Sequence, residues 1–143
     1  MEFPVITAVT AGVLLIFQQL LMLSVGLYRV KVRRGVGDGG DAQLERLVRR
    51  HGNLAENSAL FLIGLGLLEL ATGSGPVTLG FAGAFLAARL FHALGFSSLA
   101  GSHLAEGSRL FLLLRSSGAI LTALVGIAAG GYLLSTASGW PSS

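Results

Sequence analysis

The chain contains no cysteine among its 143 residues, so disulfides, cysteine-ligated metals and cysteine nucleophiles are excluded. Charge is scarce too: Asp, Glu, Lys and Arg amount to 12%, against roughly 25% in soluble domains. Lysine is confined to Lys31, and the preference for arginine beside abundant glycine and alanine hints at a GC-rich, bacterial source. What is abundant instead is hydrocarbon. Apolar residues make up 52% of the chain and the mean hydropathy is +0.74, with the apolar residues gathered in long runs. Such runs argue for an integral membrane protein rather than a soluble core, and the length allows one domain over residues 1–143. The pI near 10.2 would suit nucleic acid, but in a membrane chain it reflects basic loops on one side, so no nucleic-acid partner is expected.

Four hydrophobic spans can be read, about 5–27, 54–72, 77–99 and 110–134, which predicts an all-α, four-transmembrane-helix bundle. The first has Glu2 and no cation ahead of a long apolar stretch, which does not fit a secretory signal peptide. "GSGP" (73–76) and "AGSHLAEGSR" (100–109) break the later spans, and the glycine-rich "GVGDGGD" (35–41) reads as a turn. Arg29, Lys31, Arg33, Arg34, Arg46, Arg49 and Arg50 crowd the loop of residues 28–50. Arg109 and Arg115 fall at the loop of residues 100–109, on the same side, whereas the opposite side holds Glu2 and Glu69 and no cation. By the excess of cations on cytoplasmic loops, both loops face the cytoplasm and both termini lie outside. Trp140 in the uncharged tail reads as an interface anchor.

The second span begins with a polar stripe. With Asp41 as N-cap, helical pattern can run unbroken from Ala42 through residue 72. Arg46, Arg49, Asn53 and Glu56 are spaced 3, 4 and 3 apart, which keeps them on one helix face within about 80°. In the third span Arg89 and His92 share a face at i and i+3. Arg89 lies about 18 Å from the outer edge. A central arginine costs roughly 2.5–3.5 kcal/mol on insertion scales, so it must face protein or a wet cavity. The fourth span opens with Arg115 and Ser116, with Thr122 one heptad beyond Arg115.

Plainer roles exist for each of these residues. Arg46, Arg49 and Arg50 would serve as topology determinants against lipid phosphates, and Arg115 could snorkel to the same interface. A Glu56–Arg89 ion pair would satisfy both. Gln18 and Gln19 suit interhelical hydrogen bonds, and Gly126 and Gly130 a small-xxx-small helix contact. Convergence favours a site: Arg, Asn, Glu, His and Ser from three spans reach one depth. Several cations with a single carboxylate suit a small polyanion that also bears an ammonium group. Glutathione, with two carboxylates, an ammonium and a thiol, has that character; arginines hold carboxylates bidentately. A positive field with a hydroxyl donor lowers a thiol pKa, a role open to Arg115 and Ser116. Phospholipid head groups and nucleotides fit the same charge balance.

The stretch "LERLVRRHGNLAENSALFL" (44–62) resembles the signature of the MAPEG family, membrane-associated proteins in eicosanoid and glutathione metabolism. The family pattern R-x-x-R-x-H-x-N-x-x-E is matched by Arg46, Arg49, His51, Asn53 and Glu56, with Arg50 between Arg49 and His51. Arg89-x-x-His92 is similar to the family's element in the third helix, and "RSSGAILT" (115–122) to the start of its fourth. "GDGGD" (37–41) is similar to bacterial members, which implies the inner cell membrane. The resemblance spans nearly the whole chain. It implies a homotrimer of four-helix bundles, with glutathione as co-substrate held between subunits near the cytoplasmic face by Arg29, Arg46, Arg49, Asn53, Glu56, Arg89 and His92. Arg115 and Ser116 would serve the thiolate, and no metal is implied. The activity implied is that of a glutathione S-transferase or peroxidase-like enzyme acting on a lipophilic small molecule that arrives through membrane lipid. The same family includes a non-catalytic member that presents lipid, which gives the alternative of a lipid- or ligand-binding protein. Phe96 stands where several eicosanoid enzymes place a tyrosine, Gly52 where some have another arginine, and Ala59 where a proline is frequent. Tyr28 and Tyr132 are the only tyrosines, so these departures weigh against an eicosanoid synthase.

Overall fold

A computed structural model describes residues 2–99 and 108–139. The described chain forms four helices: α1, Val5–Lys31; α2, Ala42–Thr72; α3, Pro76–Gly95; and α4, Arg109–Ser138. All four are long and apolar enough to cross a membrane; even α3, with 20 residues, reaches about 30 Å at 1.5 Å per residue. In hydrocarbon the backbone must satisfy its own hydrogen bonds, so apolar runs of this length become helices and nothing else. The hydroxyls within them behave likewise: Thr10, Ser58 and Thr122 each donate to the carbonyl four residues back. No strand occurs among the described residues.

The boundaries follow local chemistry. α2 begins where the N-cap reading placed it, with the Asp41 carboxylate accepting from Gln43 N and Leu44 N at 2.9 and 3.0 Å. The turn before it needs glycine, because Gly37, Gly39 and Gly40 all have positive φ. Pro76 opens α3. α3 ends at Gly95, four residues short of the span read to Leu99, and Phe96 leaves the helix with its carbonyl held by the Arg46 guanidinium. α4 continues to Ser138, beyond Leu134. Most of the second polar loop and Trp140 lie outside the described residues.

Cross-helix bonds establish an up-down-up-down order. Near the arginine-rich end, Arg50 Nη2 of α2 donates to Ser24 Oγ of α1 at 3.2 Å. Tyr28 Oη donates to the capping Asp41 carboxylate at 3.2 Å. Near the other end, Glu69 of α2 caps α1: its carboxylate accepts from Ile6 N, Thr7 N, Thr7 Oγ1 and Ser74 Oγ at 2.6–2.8 Å. Glu69 is 3% exposed, so the outer-interface position read from the sequence is a buried one. Its reason is plain: Pro4 offers no capping side chain, and the first N–H groups of a helix need an acceptor.

Between these ends lies the apolar core. Leu14, Leu21, Leu54, Phe85 and Val125 form its buried cluster. The Phe61 and Phe85 rings stack within it at 3.8 Å between centroids. α4 is the least covered helix, with only Gly118 and Val125 buried. Its contact with α3 is nonetheless close. A Cβ on Gly118 would stand 2.5 Å from His92 N, and one on Gly95 2.5 Å from Arg115 N. The small-residue contact therefore lies at Gly95 and Gly118. Gly126 and Gly130, the pair suggested by spacing, have nothing within 4 Å of a built Cβ; they are exposed and line the groove between α2 and α4.

Candidate functional site

The close crossing of α3 and α4 determines what the arginines meet. Arg89, 2% exposed, faces protein as its position in the span required. Its Nη1 donates to Asn53 Oδ1 at 3.1 Å, and its Nη2 to Gly118 O at 3.3 Å and to Thr122 Oγ1. One guanidinium thus joins α2, α3 and α4. Glu56 is not its partner: that carboxylate is exposed on α2, because the ring of acceptors around Arg89 comes from Asn53 and the α4 backbone instead.

About two turns nearer the loops, Phe96 gathers three more cationic or ionisable groups. Arg46 is 5% exposed; Nε donates to Gln43 Oε1 at 3.1 Å and Nη1 to Phe96 O. The Arg115 guanidinium carbon lies 4.5 Å from the Phe96 ring centroid, a cation–π stack. The His92 ring is 5.0 Å from the same ring, tilted by 38°. Arg46, Arg49, Asn53, His92, Phe96 and Arg115, with Glu45, line one cleft of about 150 Å³. Among the described residues that line it, three guanidiniums stand against one carboxylate, a positive surplus of the kind that attracts anions.

The cleft has neighbours. Asn53 and His92 also line an adjoining depression that includes Arg89 and Thr122. Asn57, Thr122 and Gly126 connect that depression to a groove of similar size, about 500 Å³, between α2 and α4. Glu56 sits at the polar end of this groove, whose walls are otherwise mostly apolar, with Leu60, Phe61 and Phe85 among them. Polar cleft and apolar groove therefore lie along one face of the bundle.

Not every candidate joins them. Arg29 turns away to brace the first loop, its Nη1 donating to Gly37 O at 2.9 Å and to Gly35 O at 3.3 Å. Ser116 is exposed and does not line the cleft, since one residue along a helix turns the side chain by about 100° from Arg115. Glu56 opens to the groove rather than the cleft. His51 and Gln18 pair across α1 and α2 at 2.7 Å between nitrogens, the interhelical role expected of Gln18. Two lining residues escaped the sequence reading. Glu45 lies on the stripe's margin, and Phe96, noted there only as a departure, is the centre of the arrangement. An aromatic four residues after His92 was the available signal.

Helices that all can span a bilayer, with buried cations converging on a cleft at one end, define a polytopic α-helical membrane protein with a polar cleft. The chain belongs to the MAPEG family, which it matches over residues 7–134. No curated protein and no solved structure matches it significantly.

Proposed function

We propose that the cleft binds glutathione and that the protein is a membrane glutathione transferase or peroxidase-like enzyme for lipophilic electrophiles. The observation that supports this most is the convergence of Arg49, Asn53, His92 and Arg115 from three helices on one cationic cleft. Guanidiniums there bind carboxylates, and Arg115 stabilises the thiolate by its charge. The adjoining apolar groove suits a hydrophobic partner arriving from lipid. Family membership fits this reading, since its members serve glutathione or eicosanoid metabolism.

The cleft of about 150 Å³ equals about five waters at roughly 30 Å³ each, less than a tripeptide needs. Glutathione therefore lies only partly in it, and the remainder contacts groups beyond, Glu56 and a neighbouring subunit's Arg29 among them. That shortfall supports a homotrimer with shared sites. The basic loops support an orientation with both termini outside the cytoplasm, in an inner membrane. A second reading, ligand binding without turnover, is favoured by one observation: among the described residues lining the cleft none carries a hydroxyl, with Ser116 turned away.

Thermal-shift titration of the detergent-solubilised protein with glutathione tests the proposal. Saturable stabilisation that weakens in Arg49→Ala is the expected result; Arg49 is exposed, so its loss spares the fold. Absence of stabilisation in the unsubstituted protein overturns it. Conjugation of a panel of electrophiles then separates the enzyme from the binding protein.

A further inference from the structure

The end of α1 carries backbone strain. Arg34 N donates to Arg29 O at 3.0 Å and Arg33 N to Val30 O at 3.2 Å, the paired bonds of a Schellman motif. Such a motif needs a left-handed residue just past the cap, a position that glycine fills without strain. Here that residue is Arg33, at φ +53°, the one residue other than glycine with positive φ among the described residues. Glycine is frequent in the same turn, at 35, 37, 39 and 40, yet not at this position. An arginine there gives up backbone stability, and strain of this kind points to a role for the side chain.

The rest of the turn presents cations outward. Lys31, Arg33 and Arg34, three within four residues, are all exposed. Arg29 Nη1 holds the Gly35 and Gly37 carbonyls, and the Arg34 guanidinium lies against the loop where a Cβ on Gly39 would collide with it. The loop's carboxylates are engaged close to home. Asp38 Oδ1 accepts from Gly40 N at 3.0 Å, and Asp41 caps α2 and accepts from Tyr28 Oη. Val36, two residues past Arg34, is 90% exposed, and Leu27 and Val30 on the last turns of α1 are exposed as well. Apolar side chains beside a cluster of cations suit the boundary of a bilayer, where valine enters hydrocarbon while the cations meet phosphates. A soluble polyanion would use the cations and leave Val36 in water.

We propose that residues 31–36 are a docking surface for anionic phospholipid in the leaflet at the arginine-rich end. Lys31, Arg33 and Arg34 contact the headgroup phosphates, and Val36 enters the acyl boundary between them. A cation anywhere in this loop would serve topology. One held in the left-handed region, where glycine would relieve strain, serves a surface whose shape matters. The inference is independent of the cleft and of glutathione.

The test uses the full chain in lipid nanodiscs, with Val36→Trp in a Trp140→Phe background so that a single tryptophan reports. Acyl-brominated phosphatidylglycerol should quench its fluorescence about threefold more than brominated phosphatidylcholine at equal mole fraction, and added salt should narrow the difference. Lys31→Gln, Arg33→Gly and Arg34→Gln together should bring the two lipids to parity. Quenching by neither lipid, or equal quenching by both before those substitutions, overturns the proposal. So does loss of the preference to inorganic phosphate at matched ionic strength, which would assign the cations to a soluble anion. Arg33→Gly alone separates lipid docking from a role in the fold. It should raise the unfolding midpoint in uncharged detergent and at the same time weaken the preference for phosphatidylglycerol. A midpoint that does not rise, or a preference left intact, also overturns it.

Discussion

The two ends of the bundle treat polar groups in opposite ways. At the end where α1 begins, Glu69 is buried and meets four donors from its own chain. At the other end, Arg49 and Arg115 line a cleft whose cations outnumber its carboxylate. The first arrangement is complete and holds the fold together. The second gathers three guanidiniums and one carboxylate among the described residues that line it. Burial alone does not separate them, since Arg89 and Arg46 at the arginine-rich end are as buried as Glu69. What separates them is the charge brought together: one carboxylate among four donors at the first end, three guanidiniums around one cleft at the other.

Substitutions should divide along that line. The largest effect on stability is expected for Glu69→Leu, which strands two backbone N–H groups and two hydroxyls. A cost of about 3 kcal/mol in a detergent unfolding equilibrium, with glutathione affinity retained, would be its mark. Gly118→Ala comes next. The added methyl meets the His92 backbone, so α3 and α4 must part, costing about 2 kcal/mol and lowering affinity together because the crossing positions both His92 and Arg115. If Gly118→Ala left affinity intact, the coupling between helix crossing and cleft would be disproved.

Arg115→Ala should act most on the ligand: affinity falls about tenfold or more, which is about 1.4 kcal/mol, and any conjugation activity disappears. Smallest of all, Ser116→Ala should change affinity less than about twofold, because its side chain faces away from the cleft. A large loss there, measured in the assembled protein, would return Ser116 to the site and weaken the contrast between cleft and surface.

Much of this architecture was legible from the residues in order. The spans show in hydropathy, and Asp41 reads as a cap because Asp before an apolar helix has one favourable place to be. The stripe of Arg46, Arg49 and Asn53 is legible because helical periodicity alone puts them on one face, and all three line the cleft. Glu56 belongs to the same stripe but sits one turn deeper, where the face meets the groove. Arg89 had to be covered by protein in any fold that spans a membrane.

Other features required contacts distant in the chain. Glu69 is 62 and 63 residues from the N–H groups it caps, and no local pattern announces such a pairing. The glycines that allow α3 and α4 to touch are Gly95 and Gly118, whereas the spacing signal pointed to Gly126 and Gly130. A small-residue motif shows where close approach is possible; which motif is used depends on where the helices cross. Phe96 read as a missing hydroxyl, and only the fold places it between the Arg46 and Arg115 guanidiniums.

By itself, then, the sequence determined the membrane-spanning helices, the Asp41 cap and the faces on which charge accumulates, because hydropathy and helical period are properties of neighbouring residues. Tertiary structure alone decided which charges were spent on holding helices together and which were left facing a cleft. That division depends on acceptors supplied by other helices, and a buried guanidinium is structural or available according to the partners that packing brings within hydrogen-bond reach.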